Sequence, residues 1–201
     1  MIALRGLRIR WWYLCLLPLL AAQAQAARVS SVQVTRSGTH FVIGMRISID
    51  APPPAVFRAL QDYAEMARYN PDLRSVRIER TAARDRVRLF TTIHACVLIF
   101  CKTMHQEQIM TAAASADGGT LNAVLVPQGG DFKEGHGRWF VGPCRRARTQ
   151  TCMDVRLELV PGFWVPPVIG PWVLRRKMDE EARRTAAGLE QTARGGGAGQ
   201  H

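Results

Sequence analysis

The sequence contains no long apolar segment and none of the common catalytic signatures. Its longest apolar run extends from Trp11 to Ala22, which is shorter than the roughly 20 residues that a membrane-spanning helix requires. The patterns G-x-S-x-G and H-E-x-x-H and the phosphate-binding loop do not occur in the sequence. Their absence excludes the familiar signatures of α/β-hydrolases, zinc peptidases and P-loop nucleotidases, so no motif specifies a reaction.

The N-terminal residues have the order of a secretory signal peptide. Three arginines precede the apolar run, and the small-residue pattern Ala24-Gln25-Ala26 follows it. We expect residues 1–26 to be cleaved near Ala26, which places the mature protein in the periplasm or outside the cell. The remaining length of about 175 residues suits one domain over 27–194. The last residues, GGGAGQH at 195–201, predict a disordered tail.

Positive charge is carried almost entirely by arginine. Only three of the 27 basic residues are lysines, namely Lys102, Lys133 and Lys177. The formal net charge of +11 falls to +8 once the three arginines of the signal peptide are removed. Export makes nucleic acid an unsuitable partner, so we expect none, and an anionic membrane surface is the better candidate for transient contact. The even scatter of arginine along the chain also fits an ordinary solvated surface.

Alternating apolar and polar residues predict an antiparallel sheet. Segments 41–50 and 153–159 alternate with period two, which is typical of half-buried strands. The sequence Asp117-Gly118-Gly119 is a hairpin-turn signal. Weaker alternation occurs over 74–80, 86–96, 102–114, 120–127 and 137–142.

Two segments have helical spacing instead. The first begins after Pro53 and ends at Asn70-Pro71, and the second is a long amphipathic segment from Gly170-Pro171 to about Arg194. The fold class is therefore predicted as α+β. A curved antiparallel sheet of about seven strands would wrap around the C-terminal helix, with a short helical hairpin after the first strands. Such an arrangement leaves space for a pocket between sheet and helix.

Three stretches resemble the START-like (SRPBCC) superfamily, of the polyketide cyclase and coenzyme Q-binding type. The stretch ISIDAPPPAVFRALQDYAEMARYNPDLRSVRI resembles its opening, although Phe57 stands where many members have tryptophan. The stretches GGDFKEGHGRWFVGP and VPGFWVPPVIGPWVLRRKM resemble exported members. The likeness spans about 30–194 and implies a helix-grip fold, which hosts carriers and cyclases alike. The residues that carry it in the opening stretch are Ala51, Pro52, Val56, Phe57, Leu60, Asp62, Tyr63 and Pro71.

Four cysteines follow the signal peptide, an even number for an oxidising compartment. Cys96 and Cys101 flank one apparent strand turn, and Cys144 and Cys152 flank another, so we predict these two disulfides. Histidines on either side of the first pair raise zinc as an alternative. However, His105 lies roughly 13 Å along a strand from Cys101, whereas zinc ligands converge to about 2.0–2.3 Å from the ion. Spacing favours the disulfides, and we expect neither a metal nor a cofactor.

The pleat of the predicted strands selects residues that face the pocket. If the odd-numbered residues of 87–93 point inward, the hairpin directs Gln106 and Gln108 inward as well. Buried amides need hydrogen-bond partners, so these two would orient the oxygenated end of a ligand. A register shift of one residue would leave both exposed instead. The predicted ligand-binding residues are Met45, Leu89, Met104, Gln106, Gln108, Phe132, Trp139, Phe163, Trp164, Trp172, Leu174 and Met178.

Few residues are candidates for catalysis. Asp131 and His136, which share a Gly-rich loop with Glu134, could form an acid–base cluster. Asp62 matches an acid that is common in the superfamily, and it could equally satisfy backbone donors at a helix end. We therefore predict a non-enzymatic protein that binds and transports a lipid, isoprenoid quinone or polyketide-like molecule in an internal cavity. The alternatives are a cyclase or dehydratase acting in the same cavity, and an interaction module with a filled core and a basic surface.

Overall fold

The computed structural model describes residues 27–81 and 85–195. The predicted signal peptide at 1–26 lies outside these residues, and so does the predicted tail, except for Gly195, which ends the last helix. Within the described ranges, no helix is both long enough and apolar enough to span a membrane.

One antiparallel sheet dominates the structure. Its order is β1-β2-β8-β7-β6-β5-β4-β3, so β3 to β8 form a meander in chain order and the β1–β2 hairpin joins it at β8. The eight described strands exceed the predicted number by about one, because β1 is a mostly exposed edge strand with little alternation in its sequence. The strands are β1 (Arg28–Ser37), β2 (His40–Ile49), β3 (Leu73–Arg80), β4 (Arg86–Val97), β5 (Phe100–Ser115), β6 (Gly118–Leu125), β7 (Phe132–Cys144) and β8 (Ala147–Pro161).

The alternation of β2 explains where the sheet buries its apolar face. Ile47 and Ile49 are buried, as are Phe41 and Ile43. Antiparallel pairing with β8 sets Ile47 opposite Met153, which is also buried. Apolar side chains therefore meet across neighbouring strands on the concave face, where cross-strand contacts stabilise a sheet.

The helices follow the predicted segments, with one break. Helix α1 spans Pro53–Gln61, a 3₁₀ helix spans Tyr63–Arg68, and α2 spans Pro171–Gly195. The break falls at Asp62, whose ψ of 77° is not helical and whose side chain forms no capping hydrogen bond. Its backbone N–H donates to the carbonyl oxygens at the end of α1 instead.

The C-terminal half of α2 packs closely on the rest of the protein. It contacts α1 and β1, and Ala186 and Leu189 are completely buried. Gly188 allows this approach, since a Cβ there would lie only 2.7 Å from the Cα of Tyr69. Glycine inside a helix costs about 1 kcal/mol relative to alanine, so the close contact is the physical reason for its presence.

Polar contacts fix the same end of α2. The backbone N–H of Asp50 donates to Oε2 of the buried Glu190 at 3.2 Å. Arg194 donates to the carbonyl oxygen of Asp50 at 2.8 Å and to its Oδ2 at 2.5 Å. The end of β2 and the end of α2 are therefore joined by several hydrogen bonds.

Candidate functional site

Two adjoining cavities lie between the concave face of the sheet and the N-terminal half of α2. The inner cavity has a volume of about 380 Å³, and the outer cavity has a volume of about 530 Å³. Met104, Phe132 and Met178 line both of them, so these side chains form part of the boundary. Each volume falls in the range of about 300–1,000 Å³ that is usual for small-molecule sites.

The outer cavity is almost wholly apolar. Its wall includes β2, β8 and the segment between β8 and α2, which contributes Phe163, Trp164 and Ile169. The ring of Phe163 meets that of Phe132 edge to face, with 5.7 Å between their centroids. Lys102 Nζ lies 4.6 Å from the centroid of the Phe163 ring. These contacts hold the irregular segment 162–170 against β5 and β7.

The inner cavity combines apolar walls with polar side chains from two neighbouring strands. Thr91 on β4 pairs with Gln106 on β5, and both line the cavity together with Gln108. This is the strand register that the sequence analysis assumed. On β7, Gly137 leaves room for the ring of Trp139, because a Cβ at position 137 would lie 2.6 Å from that ring.

Two residues that line the inner cavity carry buried hydroxyl groups without a hydrogen-bond partner among the described residues. The side-chain oxygens of Tyr69 and Thr91 are shielded from solvent, and neither contacts a hydrogen-bonding atom in the described part of the chain. Burial raises the pKa of the Tyr69 phenol well above its ordinary value, with smaller effects from Tyr63 and Asp62. Burial alone raises the pKa of Tyr63, which also lines this cavity, to about 12. Both phenols are therefore neutral donors at physiological pH.

A lysine on α2 joins the charged groups beside the cavities. Lys177 Nζ lies 3.4 Å from Asp72 Oδ2 and 2.5 Å from Glu181 Oε1. Burial lowers the pKa of Lys177, but its bonds to Glu181 and Asp72 outweigh that effect and hold the pKa above its ordinary value. The ammonium group therefore stays charged and pairs with both neighbouring acids.

The structure brings ten of the twelve predicted ligand-binding residues to the cavity walls. Leu89 and Trp172 are the exceptions. Leu89 is completely buried in the core. Trp172 is 71% exposed at the start of α2 and lines neither cavity. The ten that line a cavity are Met45, Met104, Gln106, Gln108, Phe132, Trp139, Phe163, Trp164, Leu174 and Met178.

Tyr69 was not identified from the sequence. The apolar stripe of the first helical segment would continue at position 67 rather than 69. Tyr69 lies directly after the 3₁₀ helix that follows the break at Asp62, and it is 96% buried. Thr91 belonged to the predicted inward set, but a single threonine gives no signal that distinguishes it from core.

Both predicted disulfides form in the structure. The sulfurs of Cys96 and Cys101 are 2.06 Å apart, and those of Cys144 and Cys152 are 2.02 Å apart. His94 lies close to the first pair, and the three potential ligand atoms are within 4.8 Å of one another. A metal prefers thiolates, and the two sulfurs are bonded to each other, so this cluster would have to be reduced before it could bind one.

The two proposed catalytic residues do not form a pair in the cavity. Asp131 accepts a hydrogen bond from the backbone N–H of His105 at 2.7 Å, which lowers its pKa, and Lys102 lies 3.2 Å away. Asp131 lines neither cavity. His136 borders the inner cavity, but its side chain is exposed. The candidate acid–base cluster is therefore not assembled in the cavity, and Asp131 bonds to β5 at His105 instead.

Residues 49–185 match the family described as polyketide cyclase / dehydrase and lipid transport. The matched segment extends from the end of β2 into α2 and covers more than half of the chain. The chain belongs to this family. The family likeness and the START-like helix-grip fold predicted from the sequence are thereby confirmed.

Solved structures share the fold at low sequence identity. A STAR-related lipid transfer protein from Xanthomonas axonopodis is 15% identical with a TM-score of 0.58, covering 81% of this chain and 98% of that one. The human StarD13 lipid transfer and protein localization domain is 11% identical with a TM-score of 0.58, covering 83% and 88%. A Streptomyces aromatase/cyclase is 11% identical with a TM-score of 0.53, covering 79% and 94%. No curated protein sequence matches the chain.

Proposed function

We propose that this protein binds a hydrophobic small molecule in its paired cavities and carries it to or from a membrane. Lipids, isoprenoid quinones and polyketide-like compounds are the candidate classes. The observation that supports this most directly is the lining of the outer cavity. Apart from Asp72, Lys102 and Lys177, its wall consists of apolar residues and one disulfide-bonded cysteine. Such a wall favours a hydrocarbon, because burial of apolar surface contributes about 25 cal/mol per Å².

Exposed apolar residues adjoin the outer cavity and support an entrance from a membrane. Ile99, at the tip of the β4–β5 hairpin, is 88% exposed, and Trp164 is 73% exposed. Phe100, next to Ile99, lines the outer cavity, as does Trp164 itself. The exposed apolar surface is therefore continuous with the cavity wall. Clusters of this kind commonly mark contact with a membrane or partner.

Positive charge near this surface favours an anionic bilayer as the partner. Arg175 and Arg176 are exposed beside Trp172, and neither forms an ion pair with any residue that the structure describes. Tryptophan with neighbouring arginine is typical of segments that lie at the interface of anionic membranes. The two disulfides and the predicted signal peptide support a location in the periplasm or outside the cell.

Ligand occupancy tests the proposal. Protein expressed with its N-terminal leader and isolated from the periplasm should retain an apolar molecule, seen as added mass in native mass spectrometry and identified after solvent extraction. Ala95 lines both cavities, so Ala95→Phe should reduce occupancy strongly. Ala113→Phe, at an exposed position of β5, is the control. Equal occupancy of both variants would contradict the proposal, and conversion of the extracted molecule by purified protein would support the cyclase alternative.

Membrane contact is tested separately with vesicles. Residues 27–201 should co-sediment with vesicles that contain phosphatidylglycerol and less with pure phosphatidylcholine. Ile99→Ser should weaken this binding and should not alter the amount of ligand held. Loss of the Phe163 and Trp164 side chains should slow transfer of the ligand to vesicles. An unchanged transfer rate would argue against an entrance at this segment.

A further inference from the structure

We propose that the inner cavity binds the uncharged, oxygen-bearing end of the ligand, while the hydrocarbon body occupies the outer cavity. This inference rests on the proposed function and adds the chemical class of the ligand and its orientation. The two partnerless hydroxyls carry it. Tyr69 and Thr91 are each 96% buried, both line the inner cavity, and neither oxygen has a partner among the residues that the structure describes.

An unpaired buried hydroxyl destabilises a protein unless something hydrogen-bonds to it. Two residues of one cavity wall that both carry such a group point to a ligand as the source of the missing partners. Tyr69 belongs to the chain between the 3₁₀ helix and β3, whereas Thr91 belongs to β4. The two hydroxyls therefore come from separate segments that converge on the cavity.

Two amides extend the polar part of the same wall. Gln106 pairs with Thr91 across β4 and β5, and Gln108 lies two residues further along β5. Both line the inner cavity, and neither side chain forms a hydrogen bond to another described residue. Each amide offers two N–H donors and one acceptor oxygen. A ketone, quinone, ester or alcohol would satisfy this set.

The charges around the inner cavity exclude an anionic headgroup. Its lining contains no lysine and no arginine among the described residues. The acids Asp72 and Glu181 also line it, and the single positive charge of Lys177 is already shared between them. A carboxylate or phosphate placed there would be buried without a cation, which is strongly unfavourable. An uncharged oxygen is the group that fits.

The polar end can be tested with three ten-carbon probes, 2-decanone, decane and decanoate, which displace the neutral dye Nile red from residues 27–201. Thr91→Val and Tyr69→Phe remove one hydroxyl each and keep the shape. Each should weaken 2-decanone binding about two- to tenfold, as expected for one lost hydrogen bond. Decane affinity should not change. Decanoate should bind more weakly than 2-decanone.

Control variants separate binding from folding. Thr92→Val, at the next position of β4, should change the affinity for neither 2-decanone nor decane. Thr91→Ser should retain the affinity for 2-decanone because it keeps the hydroxyl. Without ligand, Thr91→Val should keep or raise the Tm, because it removes an unpaired buried group. A clear fall in its Tm would show that the hydroxyl already has a partner and would overturn the inference.

The remaining outcomes distinguish the inference from the function on which it rests. If decane and 2-decanone both bind but Thr91→Val weakens the binding of both equally, the polar end of the ligand is wrongly placed and the carrier proposal stands. If decanoate binds as tightly as 2-decanone, the uncharged class is wrong. If no probe binds and the isolated protein holds no ligand, both proposals fall.

Discussion

The two ends of α2 contact the sheet in different ways. Near the C-terminus, Ala186 and Leu189 are completely buried in the core. Near the N-terminus, Trp172 is exposed, and Leu174 and Met178 are half-buried against the cavities. One helix therefore serves as a core element at its C-terminal end, the anchored end, and as a cavity wall at its N-terminal end, the open end. Ligand binding can change at the open end without loss of the contacts that stabilise the fold.

Small residues accompany the close packing at one end. Ala186 and Gly188 allow the C-terminal half of α2 to approach its neighbours closely. In the N-terminal half, Leu174 and Met178 line the cavities instead. Because interiors pack at nearly crystalline density, the space that remains at the open end is available to a ligand.

The largest expected effect is a difference in the free energy of unfolding between two variants, each with one leucine replaced at one end of α2. Leu189→Ala should lower the free energy of unfolding by about 2–5 kcal/mol, since it leaves a void in packed core. Leu174→Ala should cost much less, because it enlarges a cavity that already exists. Urea denaturation of both variants without ligand measures the difference. Equal losses would show that the open end is packed as tightly as the anchored end.

The two disulfides give the next contrast. Cys144–Cys152 lies at the anchored end, where Thr151 donates to the carbonyl oxygen of Ala51 at 2.6 Å, whereas Cys101 lines the outer cavity. From sequence separations of 8 and 5 residues, the chain-entropy relation gives losses of about 2.5 and 2 kcal/mol on replacement of each pair by alanine. Ligand release, measured by stopped-flow fluorescence, should accelerate only in the Cys96/Cys101 variant. Acceleration in both would indicate that the hairpin has no special role at the entrance.

Much of the fold could be predicted from the sequence. The alternation of β2 and the helical spacing of 170–194 specify which faces are buried, because burial imposes a period of 2 or 3.6 on apolar residues. The disulfide pairing followed from short spacings across turns. The inward set of β5, including Gln106, followed from the register that Cys96 and Cys101 imply.

The polar part of the cavity was harder to predict from the sequence. Tyr69 lies beyond the break at Asp62, and no glycine, proline or capping side chain marks that break in the sequence. Asp131 looked like a cavity acid in the sequence, yet it bonds to the backbone of His105. Trp172 shares its neighbourhood with cavity residues but points to solvent, since a residue at the first turn of a helix can face either way.

The smallest effect at neutral pH concerns the two tyrosines that line the inner cavity, one of which, Tyr69, also packs against Gly188 in the C-terminal half of α2. Residues 27–201 contain two tyrosines, Tyr63 and Tyr69, and burial raises the pKa of both, that of Tyr63 to about 12. The folded state therefore keeps both protons above pH 10, where the unfolded state, with an ordinary phenol pKa of about 10, has begun to lose them. Their contribution to stability is complete below pH 10 and is lost as the pH rises through about 12. Phenolate absorbance near 295 nm should thus stay low at pH 10 in folded protein and reach half of its maximum near this pH in guanidinium. Substantial phenolate in the folded protein at pH 10 would show that water from the inner cavity reaches these rings.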